Sequence, residues 1–150
     1  MLSSIALLIM SIVPSQILYL EHGSSRLYAE AIQVVDNRHL CWTRPALLIQ
    51  GLPEGNSTHR QEAIAAAVLS PDDSRLELYD IGGCPDLIWP LLLFQIAYDI
   101  DFFSLLIQLK ISPDSTTQRS SNAQFSAFIH SFWRTHASVF QPAELSSSDA

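Results

Sequence analysis

Two runs of alternating character, residues 26–35 (RLYAEAIQVV) and Leu40–Gln50 (LCWTRPALLIQ), flank Asp36-Asn37 and constrain the fold more than any other feature of the chain. In the first run Leu27, Ala29, Ala31 and Val35 fall on one side of an extended chain. Tyr28, Glu30, Ile32 and Val34 fall on the other. A period of two in residues rich in β-formers reads as a strand. Asp-Asn supplies the tolerance of positive φ that a tight reversal needs. The two runs are therefore expected to pair as an antiparallel hairpin. Pro45 has no N–H to give to a ladder, so the second strand lies at an edge or bulges there.

The rest of the body arranges itself around that hairpin. Residues 17–21 read as a short apolar strand, closed by the turn residues His22-Gly23-Ser24-Ser25. Thr58 and Gln61 have capping-box spacing ahead of the alanine-rich helix 61–69, and Ser70-Pro71-Asp72-Asp73 stops it. Residues 75–81 alternate again and are expected to be the last strand. In the strongly apolar stretch 86–111, Asp86 is expected to cap a short helix through Phe94, which Pro90 limits. Asp99 or Asp101 then caps a second helix running to Lys110. A segment apolar nearly all round belongs to a core or an interface, and its internal Gln95, Asp99 and Asp101 disqualify it as a membrane span. Ser121 and Gln124 repeat the capping-box spacing, and Phe125, Phe128, Ile129, Phe132, Trp133 and His136 follow on one helical face. Strands followed by helices predict an α+β fold: an antiparallel sheet of three to four strands covered on one face by helices. The expected organisation is an apolar extension over 1–16, one domain over 17–140 and a frayed tail over 141–150.

Charge and motifs remove several chemistries. The 15 acidic side chains outnumber 8 basic ones for a net charge of −7, with Lys110 the only lysine. A basic stripe that tracks phosphates is not available, so nucleic acid is not an expected partner. The phosphate-loop, dinucleotide, zinc-protease, C-x-x-C and nucleophile-elbow patterns are all missing. Asp99 and Asp101 read as helix-capping residues rather than an acid–base pair. His130 and His136, six apart, do not share the i, i+3 or i+4 spacing of a metal pair. Cys41, between Leu40 and Trp42, reads as a small buried apolar residue. No catalytic residue, metal site or cofactor is expected.

The first twenty residues carry no charged side chain. A secretory signal lacks its basic start and its cleavage site here. An anchor is interrupted by Pro14-Ser15-Gln16 and meets Glu21 as its first charge, so membrane contact through this segment ranks below a packed or extending segment. The body is expected in the cytoplasm.

The string from Arg26 to Ile49, with its C-W-x-R-P core at Cys41, Trp42, Arg44 and Pro45, continues through L-Y-D-I (78–81) and D-L-I-W-P-L-L-L-F (86–94). This pattern resembles a family of small cyanobacterial proteins, the carboxysome assembly protein CcmS family. The resemblance implies a cytoplasmic, non-enzymatic α+β protein that binds a shell component, with a carboxysome shell protein tail as partner. The charge-free start and the insert 61–69 depart from it. Trp42 and Arg44, from the shared string, and Trp133, from the aromatic stripe, are the candidate partner-binding residues. The leading expectation is an interaction protein that receives a partner peptide at a sheet edge or apolar groove, along 26–35 or Leu40–Gln50. The rival is a small ligand-binding or regulatory domain with its pocket between sheet and helices.

Overall fold

The computed structural model describes residues 12–111 and 117–140. The apolar extension expected over 1–16, as far as residue 11, and the frayed tail expected over 141–150 lie outside the described residues. The elements run β1 (Ile17–His22), β2 (Ser25–Val35), β3 (Leu40–Gln50), α1 (Ser57–Leu69), β4 (Glu77–Asp80), β5 (Leu87–Pro90), β6 (Gln95–Ile96), α2 (Asp99–Ile111), α3 (Thr117–Thr135) and α4 (Ala137–Phe140). The class is α+β with an antiparallel sheet, as the alternation predicts.

The β2–β3 hairpin is the spine. Its reversal is a short 3-10 turn over Asp36–Arg38, and the positive φ falls on His39 (53°) rather than on Asn37. The bulge expected at Pro45 is present. Tyr28 pairs with Leu47 and Ala29 with Pro45, leaving Ala46 as the extra residue. β3 is nonetheless not an edge, because β4 pairs with its Leu47–Gln50 half and β5 with its Leu40–Thr43 half. Pro45 sits in the gap between those two pairings, where a missing donor costs no ladder bond. On the other side, β1 joins β2 through a two-residue turn whose first position is Gly23 at φ 58°, and β6 closes that flank against β1.

Among the described residues the sheet has six strands, larger than the three to four expected, and helices cover both of its faces rather than one. The alternation carries both cores. Leu18, Leu20, Leu27, Ala29 and Leu48 face α3, whose Phe125, Phe128 and Phe132 are buried against them. Ile17, Tyr28, Leu47 and Ile49 face α1 and α2, meeting Ile64, Phe102 and Leu105. Ile12 packs in the first core, and Ser15 N donates to Ala31 O at 2.8 Å, so residues 12–16 pack with the folded body.

Three further expectations change. The chain over 87–96 forms two short strands around a 3-10 turn, not a helix capped by Asp86, so 75–81 is not the last strand. The cap of α1 is Asn56, whose Oδ1 accepts from His59 N at 3.0 Å, while Gln61 Nε2 donates across to Asp101 Oδ2 at 2.6 Å. Ser121 does not cap α3, because the helix begins at Thr117 and buries Ser121 inside it.

Candidate functional site

Three surfaces compete, and each is decided by what its groups are already doing. The candidate residues come first. Trp42 Nε1 donates to Asp86 Oδ2 at 2.9 Å, and Arg44 Nε lies 3.6 Å from Asp86 Oδ1. One carboxylate therefore ties both members of the C-W-x-R-P string on the sheet surface. Neighbouring side chains of a strand point to opposite faces, and Cys41 belongs to the core under α3, so Trp42 looks the other way. Trp133 is half-exposed on α3 and lies on the far side of the sheet from Trp42 and Arg44. The three do not form one site.

The second surface is a cleft of about 500 Å³ between α1 and the β1/β6 flank, lined by Tyr19, Arg26, Ser57, Thr58, Gln95 and Tyr98 among others. Arg26, read from sequence only as the start of a strand, is buried at its floor. Its guanidinium stacks 3.9 Å from the centre of the Tyr19 ring, donates from Nε to Glu21 Oε2 at 2.6 Å and reaches Tyr28 Oη from Nη1 at 3.3 Å. Arg60 holds the other oxygen of Glu21. Burial works against the charge of Arg26, but the Tyr28 hydroxyl and the Glu21 carboxylate outweigh it and its pKa is raised. Burial likewise lifts the phenols of Tyr19 and Tyr28. The network is saturated: a guanidinium spent on a carboxylate, a hydroxyl and a ring has little left for an incoming anion. Among the described residues no group of three or more His, Cys, Asp or Glu side chains is placed to hold a metal ion.

The third surface is the open flank of the sheet. β6 is only two residues long and pairs with Leu18 and Tyr19. Ala97 N donates to Ile17 O at 2.9 Å, so the odd-numbered residues of β1 turn their peptide groups toward β6. By the same alternation Ile96 turns its own N–H and C=O outward, and Glu21 presents its peptide groups past the end of β6. Glu21 is paired with Arg26 and Ile96 with Leu18, but on these outward sides neither meets a further strand among the described residues. Exposed Leu92, Ile96 and Tyr98 flank this edge. The other free edges are less available: Pro90 ends β5 without a donor, and α2 and α3 both lean on β4. β2 and β3, the strands that the sequence offers as receivers, are interior over most of their length. This corrects the expectation that either would accept a peptide along its length.

Cys41 is fully buried, and burial pushes its thiol up to about 11. Cys84 is also buried, with its pKa raised by burial and by the charge of Asp80. Both are free. Neither has the electropositive setting that makes a thiolate. No helix among the described residues is long and apolar enough to cross a membrane. Compared with known proteins, the chain matches no family model, no curated protein and no solved structure.

Proposed function

We propose that this is a non-enzymatic interaction protein, an assembly or chaperone-like factor that receives an extended segment of a protein partner at the open β6/β1 edge. The observation that carries the reading is the pair of outward peptide groups at Ile96 and Glu21, set among the exposed apolar side chains Leu92, Ile96 and Tyr98. Unpaired strand amides bind another chain's backbone, and neighbouring side chains select its sequence. The resemblance of the 26–49 string to the carboxysome assembly family makes a shell protein tail the partner to try first. Two reduced, buried thiols suit a cytoplasmic setting.

The cleft above Arg26 favours the rival reading, a small-ligand or regulatory domain. Its floor is occupied by internal pairing, which argues for a structural role for that arginine and ranks the cleft second.

A shell-protein tail and an unrelated extended peptide are titrated against the wild type, Ile96→Pro and Ile96→Ala. Proline removes the outward donor while leaving the inward bonds of Ala97 and Gln95. The tail is expected to lose at least about tenfold in affinity to Ile96→Pro, with the alanine variant in between. The unfolding midpoint should stay within a few degrees. Equal binding by wild type and Ile96→Pro removes strand addition.

A further inference from the structure

α2 carries two apolar stripes. Phe102 and Leu105 are buried against the sheet. Ile100, Phe103, Ile107 and Ile111, at i, i+3, i+7 and i+11, form a second stripe on the opposite side, and they are 50–78% exposed. Those positions make one continuous line down the helix surface, about 16 Å long at 1.5 Å per residue. Gln108 Nε2 donates to Ala67 O at 3.1 Å and to Val68 O at 3.4 Å, setting the C-terminal ends of α1 and α2 side by side. Leu69, the most exposed large apolar side chain of the described residues, follows directly and widens the apolar surface at that end. Lone exposed apolar side chains are ordinary, but a line of four on one helix is a surface that is covered by something.

We propose that a second copy of this chain covers it, α2 packing antiparallel on α2 about a two-fold axis near the middle of the helix. The stripe reads nearly the same in both directions: Ile100 meets Ile111, and Phe103 meets Ile107. A two-fold interface requires that self-complementarity. Charge selects the orientation. Asp99 is exposed at the start of the helix and Lys110 at its end. Antiparallel packing places each Asp99 against the partner's Lys110, whereas parallel packing would bring Asp99 against Asp99. Lys110 already donates to Asp80 Oδ2 at 2.6 Å, but its side chain is 61% exposed and an ammonium has three donors. The dimer uses the α2 face and leaves the outward amide of Ile96 on a neighbouring element, so it stands independently of partner binding at the sheet edge.

Sedimentation equilibrium of the full chain decides the matter, with Ile107→Asp and Asp99→Lys as variants. Both side chains are exposed, so both variants should keep the wild-type circular dichroism spectrum, and Ile107→Asp the unfolding midpoint, with Asp99→Lys lowering it slightly through the lost carboxylate in the first helical turn. The wild type should dimerise at micromolar concentrations. Ile107→Asp should raise the dimer Kd more than about tenfold, and Asp99→Lys less, with its effect fading in high salt. A wild-type monomer up to several hundred micromolar, or a dimer that Ile107→Asp leaves intact, overturns the proposal. Ile107→Asp is expected to bind the shell-protein tail as wild type does and Ile96→Pro to dimerise as wild type does, so failure of one claim is distinguishable from failure of the other.

Discussion

Phe132→Ala tests the packing on which the whole sheet depends. Phe132 is 2% exposed and is the point where four other rings meet: Trp89 (5.4 Å, stacked), Phe128 (5.8 Å, stacked), His136 (4.3 Å) and His22 (6.4 Å, edge-on). Truncating a buried phenylalanine costs about 3–5 kcal/mol, because the transfer energy is lost and a cavity remains. Each ring contact adds about 0.5–1.5 kcal/mol beyond area. Trp89 belongs to β5 and His22 to β1, on opposite flanks of the sheet, and neither flank can collapse into the space without leaving its own ladder. The upper half of the range, about 4–5 kcal/mol, is therefore expected. For a chain of this size that is a fall in Tm of about 8–20 °C and a large share of the total stability. Urea unfolding followed by far-UV circular dichroism measures it, with Phe132→Leu as the control expected to lose no more than about 1.5 kcal/mol. A loss below about 1 kcal/mol for the alanine variant would refute the reasoning and make the α3 face an interface instead of a core.

Arg26→Met should destabilise by about 3 kcal/mol, because it leaves a half-neutralised Glu21 at the floor of the cleft, and chemical denaturation reads the change. Asp80→Asn tests the surface pair with Lys110. Burial raises the pKa of Asp80, but Lys110 and the Gly82 N–H outweigh it and the net shift is downward. Its stabilisation is therefore present above the unfolded carboxylate range and lost as pH falls below about 4. The variant should cost at most about 1 kcal/mol at pH 7, and progressively less as pH falls below the unfolded carboxylate range, in a pH series of unfolding midpoints. With its pKa near 11, Cys41 has only about one thiol in a thousand ionised at pH 8, so a thiol reagent should leave it unlabelled until urea unfolds the chain.

The hairpin was legible because its signal is local. The pattern over residues 26–31 gives strand, pairing and face together, but a second register shift between Ala31 and Gln33 reverses the faces beyond it, so that Val34 and not Val35 packs with Leu27 and Ala29. Of the edge or bulge that Pro45 implies, the bulge is present. Coverage of both sheet faces was also present in that run, since Leu27, Ala29 and Ala31 are apolar on one side and Tyr28 and Ile32 on the other. A strand backed by water keeps one of its two alternating sides polar; here both sides carry apolar residues. β5 and β6 were hidden for a different reason. A continuous apolar run such as L-I-W-P-L-L-L-F has no period to separate helix from strand, and its strands exist only because β3 and β1 offer free edges. The same long-range dependence hid the site. Nothing near Ile96 in sequence says that its amide faces outward, because that follows from its register against Leu18. Trp42 and Arg44 stand two residues apart in the sequence, but their common partner, Asp86, lies more than forty residues away. The exposed stripe of α2 is spaced like a helix face in the sequence, yet only the contacts of Phe102 and Leu105 show which face the sheet takes.

Amide hydrogen exchange with and without a bound shell-protein tail tests the central claim most directly, because it reports on the backbone groups the claim names. Receipt of a strand at the open edge predicts slowed exchange at Ile96 and Glu21, with the amides of β2 and β3, already paired inside the sheet, unchanged. Protection confined to residues around the Arg26 cleft, or to the exposed face carrying Trp42 and Arg44, would contradict it.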